Sequence, residues 1–207
     1  CGRQRSHLAS MLKGKAGHKL VCCDIDTLAD VDVFCDAHDL PFRNATFDAV
    51  VTTAVLEHVM YPERAAAEIA RILKDDGVLY SEIPFMQQVH EGAYDFTRFT
   101  LSGHRRLFNR FEQLDAGMVA GPGTVLAWSI AYFATAFCRR ELFRKFTLAV
   151  VRYLTFWIKY FDYVFARFPG GMDGASCTYF FGTKRPETVP DSAIISGYVG
   201  AIRYSHS

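Results

Sequence analysis

The densest group of chemically capable side chains lies in PFMQQVHEGAYDFTRFT (84–100), where His90, Glu91, Tyr94, Asp95 and Arg98 fall within nine residues. An imidazole titrates near neutrality, so His90 is the first candidate for a general base. Asp95 can orient that ring or bind a sugar hydroxyl, and Tyr94 adds a phenol at the same place. Glu91 offers a polar contact to an acceptor, and Arg98 can pair with a phosphate or carboxylate. The same residues also support a purely architectural reading, in which Tyr94, Phe96 and Phe99 anchor a lid and Asp95 pairs with Arg98 to hold it shut. His58, in LEHV, is a second base or substrate-contact candidate that can equally pack or bond the backbone. His7, His18, His104 and His206 carry no pattern. No two histidines or cysteines stand at metal-ligand spacing along the chain, so no metal is expected.

Acids and hydroxyls recur where apolar runs end. Asp24 closes HKLVCCDID (18–26), Asp36 ends or follows VDVFCDAHD (31–39), and Thr52 and Thr53 close the run that starts at Phe47. HLASMLKGKAG (7–17) has helical spacing and ends at glycine. Pro62 suits the first position of PERAAAEIARIL (62–73), whose apolar face holds Ala66, Ile69 and Leu73. GVLYSEIPF (77–85) is strand-like and is stopped by proline. Strands alternating with single helices predict an α/β, Rossmann-like, doubly wound and mostly parallel sheet. Such sheets bind ligands outside the carboxyl ends of their strands. An acid there can accept from ribose hydroxyls, and one a strand further on from the amino group of adenine. Each acid can equally cap a helix or solubilise a loop.

Bulk properties narrow the classes. The 207 residues carry a formal net charge of +1 and are 50% hydrophobic, which argues against disorder and against a nucleic-acid-binding surface. Six cysteines without CxxC spacing, Cys22 and Cys23 being adjacent, read as reduced, mostly buried thiols of a cytoplasmic protein. The opening CGRQRSHLAS is polar and basic, unlike a signal peptide.

The stretch from Cys1 to about Leu114 resembles the class I S-adenosylmethionine-dependent methyltransferases of the type 11 group. The blocks that carry the resemblance are VCCDID, DAHDLPFRNATFDAVVTTAVLEHV, PERAAAEIARILKDDGVLYSEIPF and VHEGAYDFTRFT. It implies S-adenosyl-L-methionine as cofactor, with Asp24 at the ribose hydroxyls and Asp36 with the Ala37 amide at the adenine. Thr53 would lie near the methionine end, with Leu56, Glu57 and His58 following on the cofactor-facing loop. The family's glycine-rich loop follows its first strand as acid-x-G-x-G-x-G, and CGRQ resembles only the tail of that loop, with Gly2 as a cofactor-binding remnant. The expectation is an N-terminally truncated methyltransferase domain whose sheet, lacking its central strand, has two unpaired edges.

In the second half, FNRFEQLDAGMVAGPG (108–123) reads as the sixth strand and GASCTYFFGTKRP (174–186) as the last, antiparallel in this fold. Between them 124–168 is rich in aromatics and helical in pattern, an insertion of two helices broken near Arg139 and Arg140. Its uncharged stretch of fifteen residues is too short to span a bilayer. Over 139–168 there are seven Lys/Arg and two acids. The insertion can be a lid, a homodimer interface or a peripheral membrane contact. Residues 1–186 form the methyltransferase domain in this reading, and 187–207 a tail without clear pattern.

The expected function is methyl transfer, at oxygen, to a small-molecule or lipid-linked glycan acceptor, in the cytoplasm or at the inner face of the membrane. HEGAYDFTRFT also resembles methyltransferases of polysaccharide assembly. The alternative is a non-catalytic, membrane-associated Rossmann-like domain that has lost cofactor binding. A nicotinamide oxidoreductase would want G-x-G-x-x-G with Tyr-x-x-x-Lys, and the sequence has no such combination.

Overall fold

A computed structural model describes Gly17 and residues 19–201. Cys1, Gly2, His7, His18, His206 and most of the helix expected over 7–17 lie outside the described residues.

Among the described residues the strands form two sheets. Strands β1 (Cys23–Asp24) and β2 (Val33–Phe34) pair in parallel. A separate sheet has the order β3-β4-β6-β5, formed by β3 (Phe47–Thr53), β4 (Leu73–Pro84), β5 (Phe111–Ala120) and β6 (Cys177–Lys184). β3 and β4 run parallel, and β6 is antiparallel to both of its neighbours. The α/β class and the antiparallel last strand therefore stand. The first two strands keep only two residues each, shorter than their apolar runs suggest.

Helix α1 (Pro62–Ile72) begins on a proline and buries Ala65, Ala66, Ile69, Ala70 and Ile72, one stripe at helical spacing. It stops because Leu73 takes an extended backbone and enters β4. The β3–β4 register then jumps from Phe47–Leu73 to Ala49–Val78. The intervening Lys74–Gly77 bulges, with Asp76 at φ 61°, a left-handed conformation that Asp tolerates better than most residues. Lys74 Nζ steadies the bulge on Asp48 at 2.8 Å.

One core joins these parts: Leu56, Leu73, Leu79, Ile83, Phe108, Phe111 and Phe180, among others. Phe108 stacks on Phe180 with ring centres 5.5 Å apart, and Phe111 meets Phe108 edge-on at 5.9 Å. Helix α2 (Leu101–Leu107) opens on Thr100, whose side chain accepts from the Gly103 amide, and it supplies His104 to this core. At Gly182 a Cβ would stand 2.6 Å from the Glu112 carbonyl oxygen, so β5 and β6 approach as only glycine allows.

Between β5 and β6 the chain forms α3 (Pro122–Thr135), α4 (Glu141–Thr155), a 3-10 turn (Ile158–Phe161), α5 (Asp162–Phe165) and α6 (Pro169–Asp173). The Asp162 carboxylate caps α3 from outside, accepting from the amides of Gly121 (3.0 Å), Gly123 (2.7 Å) and Thr124 (3.0 Å) and from the Thr124 hydroxyl (2.6 Å). A Cβ at Gly123 would lie 2.5 Å from the Ile158 carbonyl oxygen, so this wrap excludes a side chain.

Two expectations need correction. The described cysteines are free, and none is buried: Cys23 is exposed and Cys22, Cys35, Cys138 and Cys177 are half-buried. β1 and β2 belong to a short ladder whose side chains are largely in contact with solvent, which leaves their thiols uncovered. The tail also has structure where no pattern was expected. Helix α7 (Asp191–Ser196) follows Pro190 and packs against α2, burying Ile194. A single anchoring Ile is too little periodicity to read in advance.

Candidate active site

The acids at the strand ends are held by their own loops. Asp24 Oδ1 accepts the Asp26 amide at 3.0 Å, and the Cys35 amide donates to the Asp24 carbonyl at 2.9 Å, so the exits of β1 and β2 stay together. Asp36 Oδ1 accepts the His38 amide (2.9 Å) and meets His38 Nδ1 (2.6 Å). The His38 amide and ring hold the Asp36 carboxyl below the usual carboxylate range. His38 Nε2 in turn accepts the Tyr61 amide at 3.1 Å, which joins the loop after β2 to the loop after β3. Ala37 packs against the core beside Asp36.

Below them α1 grips the LPF turn. Arg71 holds Glu68 through two nitrogens (2.8 and 2.7 Å) and donates to the carbonyls of Leu40 (2.8 Å) and Phe42 (2.7 Å) and to Asn44 Oδ1 (2.9 Å). Glu68 Oε2 accepts the Leu40 amide at 2.9 Å. At the end of β3 the Thr52 hydroxyl is buried with no hydrogen-bond partner among the described residues, and Thr53 follows half-buried. A buried orphan hydroxyl at the exit of β3, following in the chain the two strand exits that bear Asp24 and Asp36, fits a polar ligand such as a nucleoside. Gly2 lies outside the described residues.

The loop after β4 folds back on the loop after β3. The Glu57 carbonyl accepts from the amides of Phe96 (2.8 Å) and Thr97 (3.2 Å), and His58 Nδ1 lies 2.8 Å from the Tyr94 carbonyl oxygen. His58 and His90 meet edge-on with ring centres 4.9 Å apart. Beneath them the Glu57 side chain is 1% exposed, and neither of its oxygens has a hydrogen-bond partner among the described residues. Burial pushes the Glu57 carboxyl up, opposed first by its own backbone amide and then by the nearby charges of His58, His90 and Arg98.

The Asp95 side chain is buried and is claimed by others. Arg98 grips both of its oxygens, and the His90 amide donates to Oδ2 at 3.0 Å. Arg98 also donates to the carbonyls of Gln87 (2.9 Å) and Gln88 (3.2 Å). The guanidinium holds the Asp95 carboxyl far below the usual range. Asp95 and Arg98 thus form the clamp foreseen in the architectural reading and fix the loop that carries His90. Tyr94 is 72% exposed, and Glu91 is exposed as well. Helix α3 lies over this loop, with Gln88 Nε2 donating to Ser129 Oγ at 2.9 Å and the Tyr132 hydroxyl donating to the Val89 carbonyl.

Sequence reasoning noted His38 only as the histidine between Asp36 and Asp39, passed over Glu57 as a reactive group, and passed over Arg71 and Asp162 altogether. Glu57 also had a signal, an acid beside His58 between the apolar Val55-Leu56 and Val59. Arg71 and Asp162 reach partners about thirty to forty positions away, which spacing alone does not reveal.

Comparison with known proteins finds partial matches. Residues 1–81 match the family model described as a methyltransferase domain, 81 of the chain's 207 residues. The ubiquinone/menaquinone biosynthesis C-methyltransferases UbiE of Ralstonia pickettii (strain 12J) and Ralstonia nicotianae (strain ATCC BAA-1114 / GMI1000) are each 38% identical over 80 residues, 36% of this chain and 33% of theirs. The chain thus spans about a third of the length of these curated relatives. A solved structure of Haemonchus contortus phosphoethanolamine N-methyltransferase 2, in complex with phosphomonomethylethanolamine and S-adenosylhomocysteine, aligns at 15% identity and a TM-score of 0.42, covering 73% of this chain and 36% of that one. The family-model match takes in VCCDID, DAHDLPFRNATFDAVVTTAVLEHV and most of the third motif block, while VHEGAYDFTRFT lies beyond it.

Proposed function

We propose that the protein is an S-adenosylmethionine-dependent methyltransferase acting at oxygen on a small-molecule or lipid-linked glycan acceptor. The observation that carries this reading is the run of three successive strand exits bearing Asp24, Asp36 and the orphan hydroxyl of Thr52, inside the residues that match the methyltransferase domain. S-adenosylmethionine, when bound, supplies a methyl group already activated on a sulfonium. Asp24 is assigned to the ribose, Asp36 with Ala37 to the adenine, and Thr53 to the methionine end, with Gly2 in the remnant of the glycine-rich loop.

The chain's own task is then to hold the acceptor hydroxyl and take its proton. The loop over 85–99 does the holding, with Tyr94 and Glu91 at hand, while Arg98, expected at the acceptor, is taken up by Asp95 and the carbonyls of Gln87 and Gln88 and fixes the loop instead. The His58–His90 pair takes the proton, and Asp95 positions His90 through its amide. Helix α3, hydrogen-bonded to this loop, is the roof of the acceptor site. The α4 region suits an acceptor embedded in a membrane, since α4 buries none of its side chains and exposes Leu142, Phe143, Phe146 and Tyr153 beside Arg144, Lys145 and Arg152. This exposed apolar and basic surface supports a position at the inner face of the membrane. Among the described residues no helix is long and apolar enough to cross a membrane.

The test is transfer of labelled methyl from S-adenosylmethionine into lipid-linked glycan and water-soluble fractions, followed by mass analysis of the product. Label recovered as a methyl ether is expected. Label recovered on carbon or nitrogen overturns the oxygen assignment, and no transfer by folded protein into either fraction overturns the acceptor class.

A further inference from the structure

We propose that Glu57, His58 and His90 form a binding site for a divalent transition-metal ion of the zinc type. The three side chains come from two loops, yet their donor atoms all lie within 4.8 Å of one another. Glu57 Oε1 stands 3.6 Å from His58 Nε2 and 3.8 Å from His90 Nε2. Both gaps are too long for hydrogen bonds. Two donors about 2.0–2.2 Å from one zinc ion at a tetrahedral angle stand roughly 3.4 Å apart, so the two carboxylate–imidazole gaps need a few tenths of an ångström of closure, while the two imidazoles, within 4.8 Å of each other, approach by side-chain rotation.

The tautomers fit ligation. His58 Nδ1 faces the Tyr94 carbonyl at 2.8 Å, which can only accept, so that nitrogen carries the proton and Nε2 offers its lone pair. His90 Nδ1 is flanked by two acceptors at 3.4 Å, the Gln88 carbonyl and Asp95 Oδ2, and its Nε2 is likewise turned to Glu57. An imidazole that hands its second N–H to a carbonyl or carboxylate is the usual support of a metal-bound histidine. Glu57 supplies the independent observation. Its carboxylate is 1% exposed, its two oxygens lack any hydrogen-bond partner among the described residues, and its backbone is pinned by Phe96 and Thr97. Leaving such a group unsatisfied is costly, and a cation shared with two imidazoles satisfies it.

His58 and His90 remain 16% and 22% exposed, so one face is open to a fourth ligand. Three protein donors with an open position is the pattern of a reactive rather than a purely structural zinc site. An acceptor hydroxyl in that position would lose its proton more readily, the proton passing to water at the open face, with His58 and His90 acting as ligands in place of free bases. That role rests on the methyltransferase reading, whereas ion binding rests on the three side chains alone.

The experiment titrates Zn2+ into chelator-treated full-length protein by calorimetry and records the visible spectrum with Co2+. One ion per chain is expected at micromolar affinity or tighter, with cobalt bands of low coordination number and little competition from Mg2+. His58→Gln and His90→Gln should each weaken Zn2+ binding roughly 100-fold, with folding checked by circular dichroism. Should either variant unfold, protection of both histidines from diethylpyrocarbonate by Zn2+ in the unaltered protein gives the same answer. No binding, affinity unchanged by both substitutions, or histidines left unprotected overturns the site. Titrating S-adenosylhomocysteine into the same samples separates the two claims: cofactor heat without zinc binding removes the ion and leaves the methyltransferase reading intact.

Discussion

His104 is wholly buried, with Nδ1 3.0 Å from Thr178 Oγ1 and Nε2 3.0 Å from Ser81 Oγ, tying α2 to β6 and β4. A neutral imidazole has one donor and one acceptor, and two hydroxyls can rotate to complement either arrangement. Burial pushes its pKa down to about 3 from an ordinary 6.5. The unfolded chain therefore takes a proton that the folded one refuses. Stability from this residue is complete above pH 6.5 and is lost as pH falls from 6.5 toward about 3, at about 1.4 kcal/mol per pH unit. Urea midpoints at neutral and mildly acid pH should fall further for the unaltered protein than for His104→Gln, and parallel losses would contradict the assignment. Nothing in SGHRRLF marks this histidine as a core residue, because its partners lie 23 and 74 positions away. Asp24 and Asp36 were legible for the opposite reason, since each closes an apolar run whose end the sequence displays.

Element boundaries were readable where local chemistry decides them. Pro62 starts α1, its alanine-rich stripe faces the core, and Pro84 ends β4. The braces between elements were not readable. Arg71 ties α1 to the turn that follows Asp36, so Arg71→Gln should leave the fold intact while weakening S-adenosylhomocysteine about 10-fold, the size of effect usual for a supporting contact. Equal affinity by calorimetry would show that the turn holds itself. Asp162 plays the corresponding part for α3, and Asp162→Ala should cost roughly 1–2 kcal/mol in a urea titration. The same change should loosen α3 from Gln88 and Val89, read as faster amide exchange in residues 85–99, and unchanged exchange would deny α3 its place as roof.

At the scale of the whole molecule, the ladders of β1–β2 and β3–β6 carry the strand exits, and the insertion carries most of the large exposed apolar side chains. Phe143, Phe146, Trp157, Tyr160, Phe161 and Phe168 are all about half exposed or more, interleaved with Arg139, Arg140, Arg144, Lys145, Arg152 and Lys159. The aromatic density was plain in the sequence, but what it faces depends on tertiary packing. Co-sedimentation with vesicles containing anionic lipid should retain the protein at low salt and release it as salt rises, with Phe143→Ser/Phe146→Ser weakening retention. A stable dimer in light scattering with no vesicle binding would assign the same surface to a second copy.

The central claim is that the strand exits hold S-adenosylmethionine, and calorimetric titration of S-adenosylhomocysteine into the full-length protein tests it most directly. One equivalent should bind with micromolar affinity, about −8 kcal/mol, and the heat should vanish in an Asp24→Ala/Asp36→Ala variant that keeps its fold. Folded protein that gives no heat, or a double variant that binds as well as its parent, would make Asp24 and Asp36 structural residues and contradict the account.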